Sequence, residues 1–137
     1  MPICSSGILQ VTAAAKAFAD GNRVRILAAL QAGELCVCEL CDALQLSQST
    51  LSTHLQVVRA AGLVRSRRDG KWSYYTLTPG GRRLSERLFR LFSDAVVRDP
   101  GLVADRARLK ERLRLREAGT CCVGFRCAGG AKGGESS

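Results

Sequence analysis

The fold of this chain is decided by the stretch Ser47-Gln-Ser-Thr-Leu-Ser-Thr-His-Leu-Gln-Val-Val-Arg-Ala60. Leu51, Leu55 and Val58 recur at helical spacing, which predicts a helix over about 48–60 with one buried face. Ser47 favours the start of that helix, because its hydroxyl can accept a backbone N–H of the first turn. The opposite face carries short polar side chains, which suit contacts with the edges of base pairs.

Beyond Gly62 the pattern changes from helical to alternating. We expect a strand over 63–68, a two-residue type I′ turn at Asp69-Gly70, and a second strand over 71–78. Helix, turn, helix and then a two-stranded hairpin is the order of a winged helix-turn-helix. The predicted fold class is therefore mainly α (α+β), a winged helix-turn-helix with a two-stranded β wing.

Further helices are predicted around these elements, at 8–19, about 23–31, 36–44, 82–97 and 102–117. The apolar stripe of the 82–97 helix is wider than one small domain needs, so we expect a homodimer formed through the first and last helices of the winged domain. The predicted organisation is a DNA-binding and dimerisation domain at 1–98, an additional helix at 99–118, and a flexible Gly/Cys-rich tail at 119–137.

The charge balance points to a polyanionic partner. Lys and Arg number 21 against 12 Asp and Glu, a net charge of +9, in a chain of 137 residues. No apolar run is long enough to cross a bilayer and no signal peptide is evident, so we expect a cytoplasmic protein with reduced thiols, bound to double-stranded DNA and not to a membrane. The candidate DNA-binding residues are Ser47, Gln48, Ser49, Thr50, Ser52, Thr53, His54, Gln56, Arg67, Arg68 and Lys71.

A second motif, Glu34-Leu-Cys36-Val-Cys38-Glu-Leu-Cys41, places three thiols immediately before the predicted recognition helix. Thiolates select soft ions. In a regular helix Cys36 would lie about 200° from Cys38, so three sulfurs can share one ion only if Cys36 precedes the helix or its first turn unwinds. We interpret this conflict as a switch, in which ion binding remodels the first turn and lowers DNA affinity.

The ligand set indicates which ion is bound. Zinc sites usually assemble four ligands, often including histidine. No histidine and no fourth cysteine lies near these three thiols in the sequence. Three thiols suit As(III) or Sb(III) as the inducer, whereas Cd(II) or Pb(II) would need Cys4 as a fourth ligand. Cys121, Cys122 and Cys127 form another cluster in the tail, which is a second or alternative site. No organic cofactor is expected.

These residues resemble the ArsR/SmtB family of metal-responsive repressors, and within it the arsenic-responsive repressors. The resemblance rests on residues 34–41, 46–55 and 70–77. It implies a homodimer, an operator with dyad symmetry, derepression by the bound ion, and inducer ligands at Cys36, Cys38 and Cys41. The tail cluster is similar to that of arsenic repressors whose inducer site lies near the C-terminus.

The leading hypothesis is therefore a repressor of an arsenic-resistance operon. A repressor of the same family that responds to Cd(II) or Pb(II) is the alternative. A thiol-based enzyme is disfavoured, because the chain lacks a nucleotide-binding fingerprint and a His/Asp arrangement around a nucleophile. A metallochaperone would leave the recognition helix and the basic wing unexplained.

Overall fold

The computed structural model describes residues 6–116, so Cys4 and the Cys121, Cys122 and Cys127 cluster lie outside the described residues. Helices dominate, and a small antiparallel sheet lies among them. The elements are α1 (Gly7–Ala17), α2 (Gly21–Ala29), a 3-10 turn (Leu30–Ala32), β1 (Leu35–Cys36), α3 (Val37–Leu44), α4 (Gln48–Ala60), β2 (Val64–Asp69), β3 (Trp72–Leu77), α5 (Pro79–Leu91), α6 (Ser93–Arg98) and α7 (Pro100–Leu113).

The helix-turn-helix is formed by α3 and α4, as the sequence predicts. Helix α4 begins where expected, with the Ser47 hydroxyl accepting the N–H of Thr50 at 3.2 Å. Its apolar stripe is buried at Leu51, Leu55 and Val58. Gln45 ends α3 in the left-handed conformation with φ 57°, which turns the chain towards α4. The predicted winged helix-turn-helix is confirmed.

The wing is a two-stranded hairpin whose turn lies one residue later than predicted. Asp69 pairs with Trp72, so the two turn residues are Gly70 and Lys71 and not Asp69-Gly70. Of these two, only Gly70 has a positive φ, at 64°. A type I′ turn needs a positive φ at both central residues, whereas type II′ needs it at the first alone. The structure therefore corrects the expected type I′ turn to the type II′ pattern.

A third strand joins the sheet that the sequence pattern assigned to two strands. Leu35 and Cys36 form β1 and pair with Tyr75 and Tyr74, giving the strand order β1-β3-β2. A strand of two residues is too short to show alternation. The predicted helix at 36–44 consequently begins at Val37, and Cys36 lies in extended backbone immediately before it.

The long helix predicted at 82–97 is two helices. Pro79 begins α5, because its fixed φ suits a first helical turn, and the Thr78 hydroxyl accepts the N–H of Gly81 at 2.9 Å. Gly81 is required for close packing, since an added Cβ would collide with the backbone of Leu63. Phe92, with φ −112° and ψ 30°, interrupts the helix before α6.

Helix α7 packs on the helix-turn-helix. Asp99 caps its start by accepting the N–H of Leu102 at 3.0 Å. Leu109 enters the main core, and Arg25 of α2 forms an ion pair of 2.8 Å with the buried Asp105. Helix α7 also packs on α3, where Arg108 Nε donates to the carbonyl oxygen of Ala43 at 2.7 Å. Within residues 6–116, no helix has the length and apolar character to cross a membrane.

Candidate DNA-binding face and thiol site

The outer face of α4 presents polar groups without apolar interruption. Ser47 stabilises the first turn of α4, because its hydroxyl also donates to Thr50 Oγ1 at 3.0 Å. Thr53 Oγ1 donates to the carbonyl oxygen of Ser49 at 3.0 Å. Side chains of this type can donate to and accept from base edges and phosphates. The exposed residues of this face are Gln48, Ser49, Thr50, Ser52, Thr53 and Gln56.

His54 lies against the start of α2 and not on this exposed face. Its side chain is 14% exposed, with Nε2 3.9 Å from the Asp20 carboxylate. Its Nδ1 lies 3.2 Å from Arg23 Nη1. The backbone N–H of Asn22 lowers the pKa of the Asp20 carboxyl, so this carboxylate carries its charge beside the ring. The predicted DNA contact of His54 gains no support from this placement.

The three basic residues assigned to the wing differ in how they are held. Arg68 is exposed, and Lys71 Nζ lies 5.3 Å from the centre of the Trp72 ring. Arg67 instead forms two hydrogen bonds of 2.8 Å to Glu34 and lies over the Tyr74 ring. This ion pair lowers the pKa of the Glu34 carboxyl. Arg68 and Lys71 are therefore better placed for phosphate contacts than Arg67.

Cys36 and Cys38 form a buried pair of thiols. Their sulfur atoms lie 2.7 Å apart, and the side chains pack with Tyr74 and Trp72. Because Cys36 ends β1 and is not part of α3, the two sulfurs meet without any unwinding of the helix. The expected switch rested on a conflict between these two positions, and the structure removes that conflict.

Cys41 is separated from this pair. It is fully buried in the main apolar core together with residues of α2 and α4, whereas Cys36 and Cys38 belong to the smaller cluster with Tyr74. Cys38 and Cys41 have the spacing of a Cys-x-x-Cys pair, but they lie in different clusters. Within residues 6–116, no three His, Cys, Asp or Glu side chains are arranged to hold one metal ion. Of the three predicted ligands, the structure thus brings Cys36 and Cys38 together and places Cys41 in a different cluster.

A cleft joins the thiol pair to the DNA-binding elements. Its volume is about 350 Å³. The two thiols form one wall, and the first residue of α4 and the tip of the wing form the others. The cleft therefore lies between the recognition helix and the wing. The lining residues are Cys36, Val37, Cys38, Gln48, Arg68, Lys71, Trp72 and Ser73.

Two arginines at the end of α7 contact the thiol helix. Arg112 Nε donates to Asp42 Oδ2 at 2.6 Å, and its Nη2 lies 3.5 Å from Cys38 Sγ. Arg116 donates to both oxygens of the buried Glu39, at 2.6 and 2.7 Å. Its charge is stabilised by that carboxylate, which raises the pKa of the guanidinium.

Arg116 and Glu39 also form hydrogen bonds with the backbone of residues 34–36. The Glu39 carboxylate accepts the N–H of Cys36 at 2.9 Å, and Arg116 Nη2 donates to the Glu34 carbonyl at 2.8 Å. Sequence reasoning did not identify Arg112 or Arg116 as site residues. The basic character of the helix is visible in the sequence, but its partners are distant in the chain, at separations of 70 to 82 residues.

A helix-turn-helix with an exposed polar second helix and a wing carrying exposed basic residues defines a winged helix-turn-helix DNA-binding regulator. Residues 20–66 match the family described as bacterial regulatory protein, arsR family. The arsenic resistance transcriptional regulator ArsR1 of Pseudomonas putida is 38% identical over 109 residues, covering 79% of this chain and 84% of that protein. The chain therefore belongs to the arsR family of bacterial regulatory proteins.

Further relatives differ in the ions that their names mention. The arsenical resistance operon repressor of Escherichia coli is 48% identical over 65 residues, 47% of this chain and 56% of that repressor. A cadmium resistance regulatory protein homologue from Staphylococcus aureus is 40% identical over 63 residues, 45% of this chain and 52% of that protein. The homodimeric winged domain of Mb0332 from Mycobacterium bovis has a TM-score of 0.59 at 31% identity, covering 69% of this chain and 92% of that one.

Proposed function

We propose that the protein represses an arsenic-resistance operon and leaves its operator when As(III), or Sb(III), binds the thiolates of Cys36 and Cys38. The observation that carries this proposal is the cleft in which the two sulfurs share walls with Gln48, Arg68 and Lys71. The relatives named for arsenic resistance support the choice of ion.

The thiol pair fits a soft metalloid. Two sulfur atoms already lie side by side, and thiolates prefer soft ions to the hard cations that carboxylates bind. Arg112 Nη2 lies 3.5 Å from Cys38 Sγ, so a positively charged side chain adjoins the pair. Among residues 6–116, the site thus supplies two sulfur ligands and a positively charged neighbour.

Release follows from the position of the pair between the two DNA-contacting elements. An ion that binds the DNA-free protein more tightly than the DNA-bound protein lowers the affinity for DNA by the ratio of its two affinities. Occupation of the cleft changes the packing around Gln48 at the start of α4 and around Trp72 in the wing. Both elements must keep their relative position to contact base edges and phosphates together.

The protein acts as a homodimer on an operator with dyad symmetry. Ile8 and Val11 of α1 are 79% and 69% exposed, and Leu91 at the end of α5 is 77% exposed. An apolar groove of about 580 Å³ between α1 and α5 continues this surface, with Val11 and Leu88 in its wall. Clustered apolar side chains of this kind mark an interface, and paired recognition helices read half-sites related by the dimer axis.

The wing supports DNA binding through phosphate contacts. Replacing Arg68 and Lys71 with alanine is expected to weaken binding to all DNA and to flatten the plot of log affinity against log salt by about 0.9 for each phosphate that is no longer neutralised. Arg67→Ala is expected to flatten it less, because Arg67 is already paired with Glu34. Fluorescence anisotropy over a salt series measures both. A slope that stays unchanged in the double variant would contradict the phosphate contact.

The ion is tested by titration of the protein–operator complex with arsenite, antimonite, cadmium and zinc in separate experiments. We expect release at the lowest concentrations with arsenite and antimonite, because the described site offers two thiols and no histidine. Release by cadmium at lower concentration than by arsenite would favour the cadmium-responsive alternative. The similarity to the Staphylococcus aureus relative named for cadmium resistance is the reason to include that alternative. No release by any of the four ions would overturn the proposed function.

A further inference from the structure

We infer that Glu39, held in place by Arg116, is a positioning residue for the thiol pair. Its carboxylate keeps Cys36 in extended backbone, where the sulfur atom of Cys36 lies 2.7 Å from that of Cys38. The inference rests on the proposed function, because the pair that is positioned is the proposed metalloid site. Glu39 and Arg116 supply no ligand, so they act on metalloid binding through Cys36.

The conformation of Cys36 decides whether the two sulfur atoms can meet. Cys36 has φ −89° and ψ 163°, and its N–H donates to Glu39 Oε1 at 2.9 Å. A glutamate in the first turn that accepts the N–H of the capping residue favours this extended conformation. If Cys36 were helical, its side chain would lie about 200° from Cys38 around the helix axis. The contact with Glu39 therefore stabilises the conformation in which the pair forms.

Glu39 depends on Arg116 for its own place. The Glu39 side chain is 0% exposed, and a buried carboxylate without a cation or hydrogen-bond donors is costly. Arg116 donates to both of its oxygens, at 2.6 and 2.7 Å. The fork of a guanidinium matches a carboxylate in this way, which fixes direction as well as distance. Arg116 thus keeps the carboxylate beside the N–H of Cys36.

The same guanidinium also holds the start of the thiol motif. Arg116 Nη2 donates to the carbonyl oxygen of Glu34 at 2.8 Å. The carboxylate of Glu34 is bonded in turn by Arg67 of the wing. One side chain therefore bonds the motif on both sides of Cys36, at Glu34 and at Glu39.

Helix α7 brings Arg116 to this position through a series of contacts along α3. Successive basic side chains, spaced by four residues, meet positions of α3 that run in the opposite direction. The three contacts are Arg108 with Ala43, Arg112 with Asp42, and Arg116 with Glu39. Packing of α7 on α3 thereby places Arg116 at the end of α3 where Cys36 lies.

The size of the effect follows from the ordering of Cys36. Fixing the backbone of one residue changes an equilibrium constant by about fivefold to thirtyfold. With Glu39 in place that ordering occurs during folding, whereas without it the metalloid must order Cys36 as it binds. Loss of the contact is therefore expected to weaken arsenite binding by about fivefold to thirtyfold. Operator affinity without arsenite is expected to stay the same, because Gln48 and Arg68 are not partners of Glu39 or Arg116.

The test uses two variants of the full chain, Arg116→Met/Glu39→Leu and Arg116→Met/Glu39→Gln. Both remove the two charges together, so neither leaves a buried charge unpaired. They differ in whether the side chain at position 39 can accept the N–H of Cys36. Competition with a small dithiol gives the arsenite affinity of the DNA-free protein, and anisotropy gives the operator affinity without arsenite.

We expect Arg116→Met/Glu39→Leu to bind arsenite about fivefold to thirtyfold more weakly than the unaltered protein. Arg116→Met/Glu39→Gln is expected to recover most of this loss, because a glutamine oxygen can still accept the N–H of Cys36. Arg114→Met, at an exposed arginine paired with Glu111, is the control and is expected to bind arsenite normally.

Three results would overturn the inference. One is an unchanged arsenite affinity in Arg116→Met/Glu39→Leu, and another is an equal loss in the two double variants. The third is a parallel fall in operator affinity without arsenite, because the residues would then act through the fold as a whole. If the affinities are as expected but arsenite does not release DNA, the positioning role stands and the proposed function fails.

Discussion

Cys38→Ser is expected to bind operator DNA as the unaltered protein does and to stay bound at arsenite concentrations that release the unaltered protein. The serine hydroxyl can still accept from Arg112 Nη2, so the neighbouring ion pair with Asp42 is kept. A typical coupling of about 1–3 kcal/mol per site corresponds to about a 5- to 150-fold change in affinity, and it applies twice in a dimer. Anisotropy with labelled operator, with and without arsenite, measures the effect.

Cys41→Ala is the matched control, because it removes a buried thiol of the same motif from the main core. It is expected to retain release by arsenite, with a modest loss of stability from the small cavity. The assignment of the pair would be abandoned if Cys38→Ser still released DNA at the normal arsenite concentration. It would also be abandoned if only Cys41→Ala became unresponsive, since Cys41 would then be the essential ligand.

The parts of the fold that sequence reasoning predicts correctly have local causes. The cap at Ser47, the stripe of Leu51, Leu55 and Val58, and the alternation of the wing each reflect neighbours within a few positions. The sequence pattern places the turn one residue early because Asp69-Gly70 is a common turn pair. The pairing register, which is set across the two strands, instead places Gly70 first.

The parts that sequence reasoning does not predict depend on distant partners. Strand β1 exists because Leu35 and Cys36 meet Tyr75 and Tyr74, about forty positions away, and two residues have no readable period. The same pairing brings Cys36 out of the helix and next to Cys38. The helical geometry that predicts a conflict between the two thiols is correct for a continuous helix, but the chain does not form one there.

The ion pair between Arg112 and Asp42 is one such distant contact, and we expect it to contribute strongly to stability. Its side chain is 4% exposed and that of Asp42 is 6% exposed, in an ion pair of 2.6 Å between α7 and α3. Arg112→Met is expected to lower the free energy of unfolding by about 3–5 kcal/mol, because it leaves the Asp42 charge buried without this cation. Urea unfolding at fixed protein concentration measures the loss, since the proposed dimer would make the apparent stability depend on concentration.

Two variants separate the charge effect from the loss of packing. Arg112→Met combined with Asp42→Leu is expected to recover most of the loss, because a buried pair can be replaced by apolar side chains at little net cost. Arg114→Met removes an arginine of the same helical end that is 71% exposed and paired with Glu111, and it is expected to cost no more than about 1 kcal/mol. Equal losses in Arg112→Met and Arg114→Met would mean that the ion pair between Arg112 and Asp42 does not hold α7 against α3.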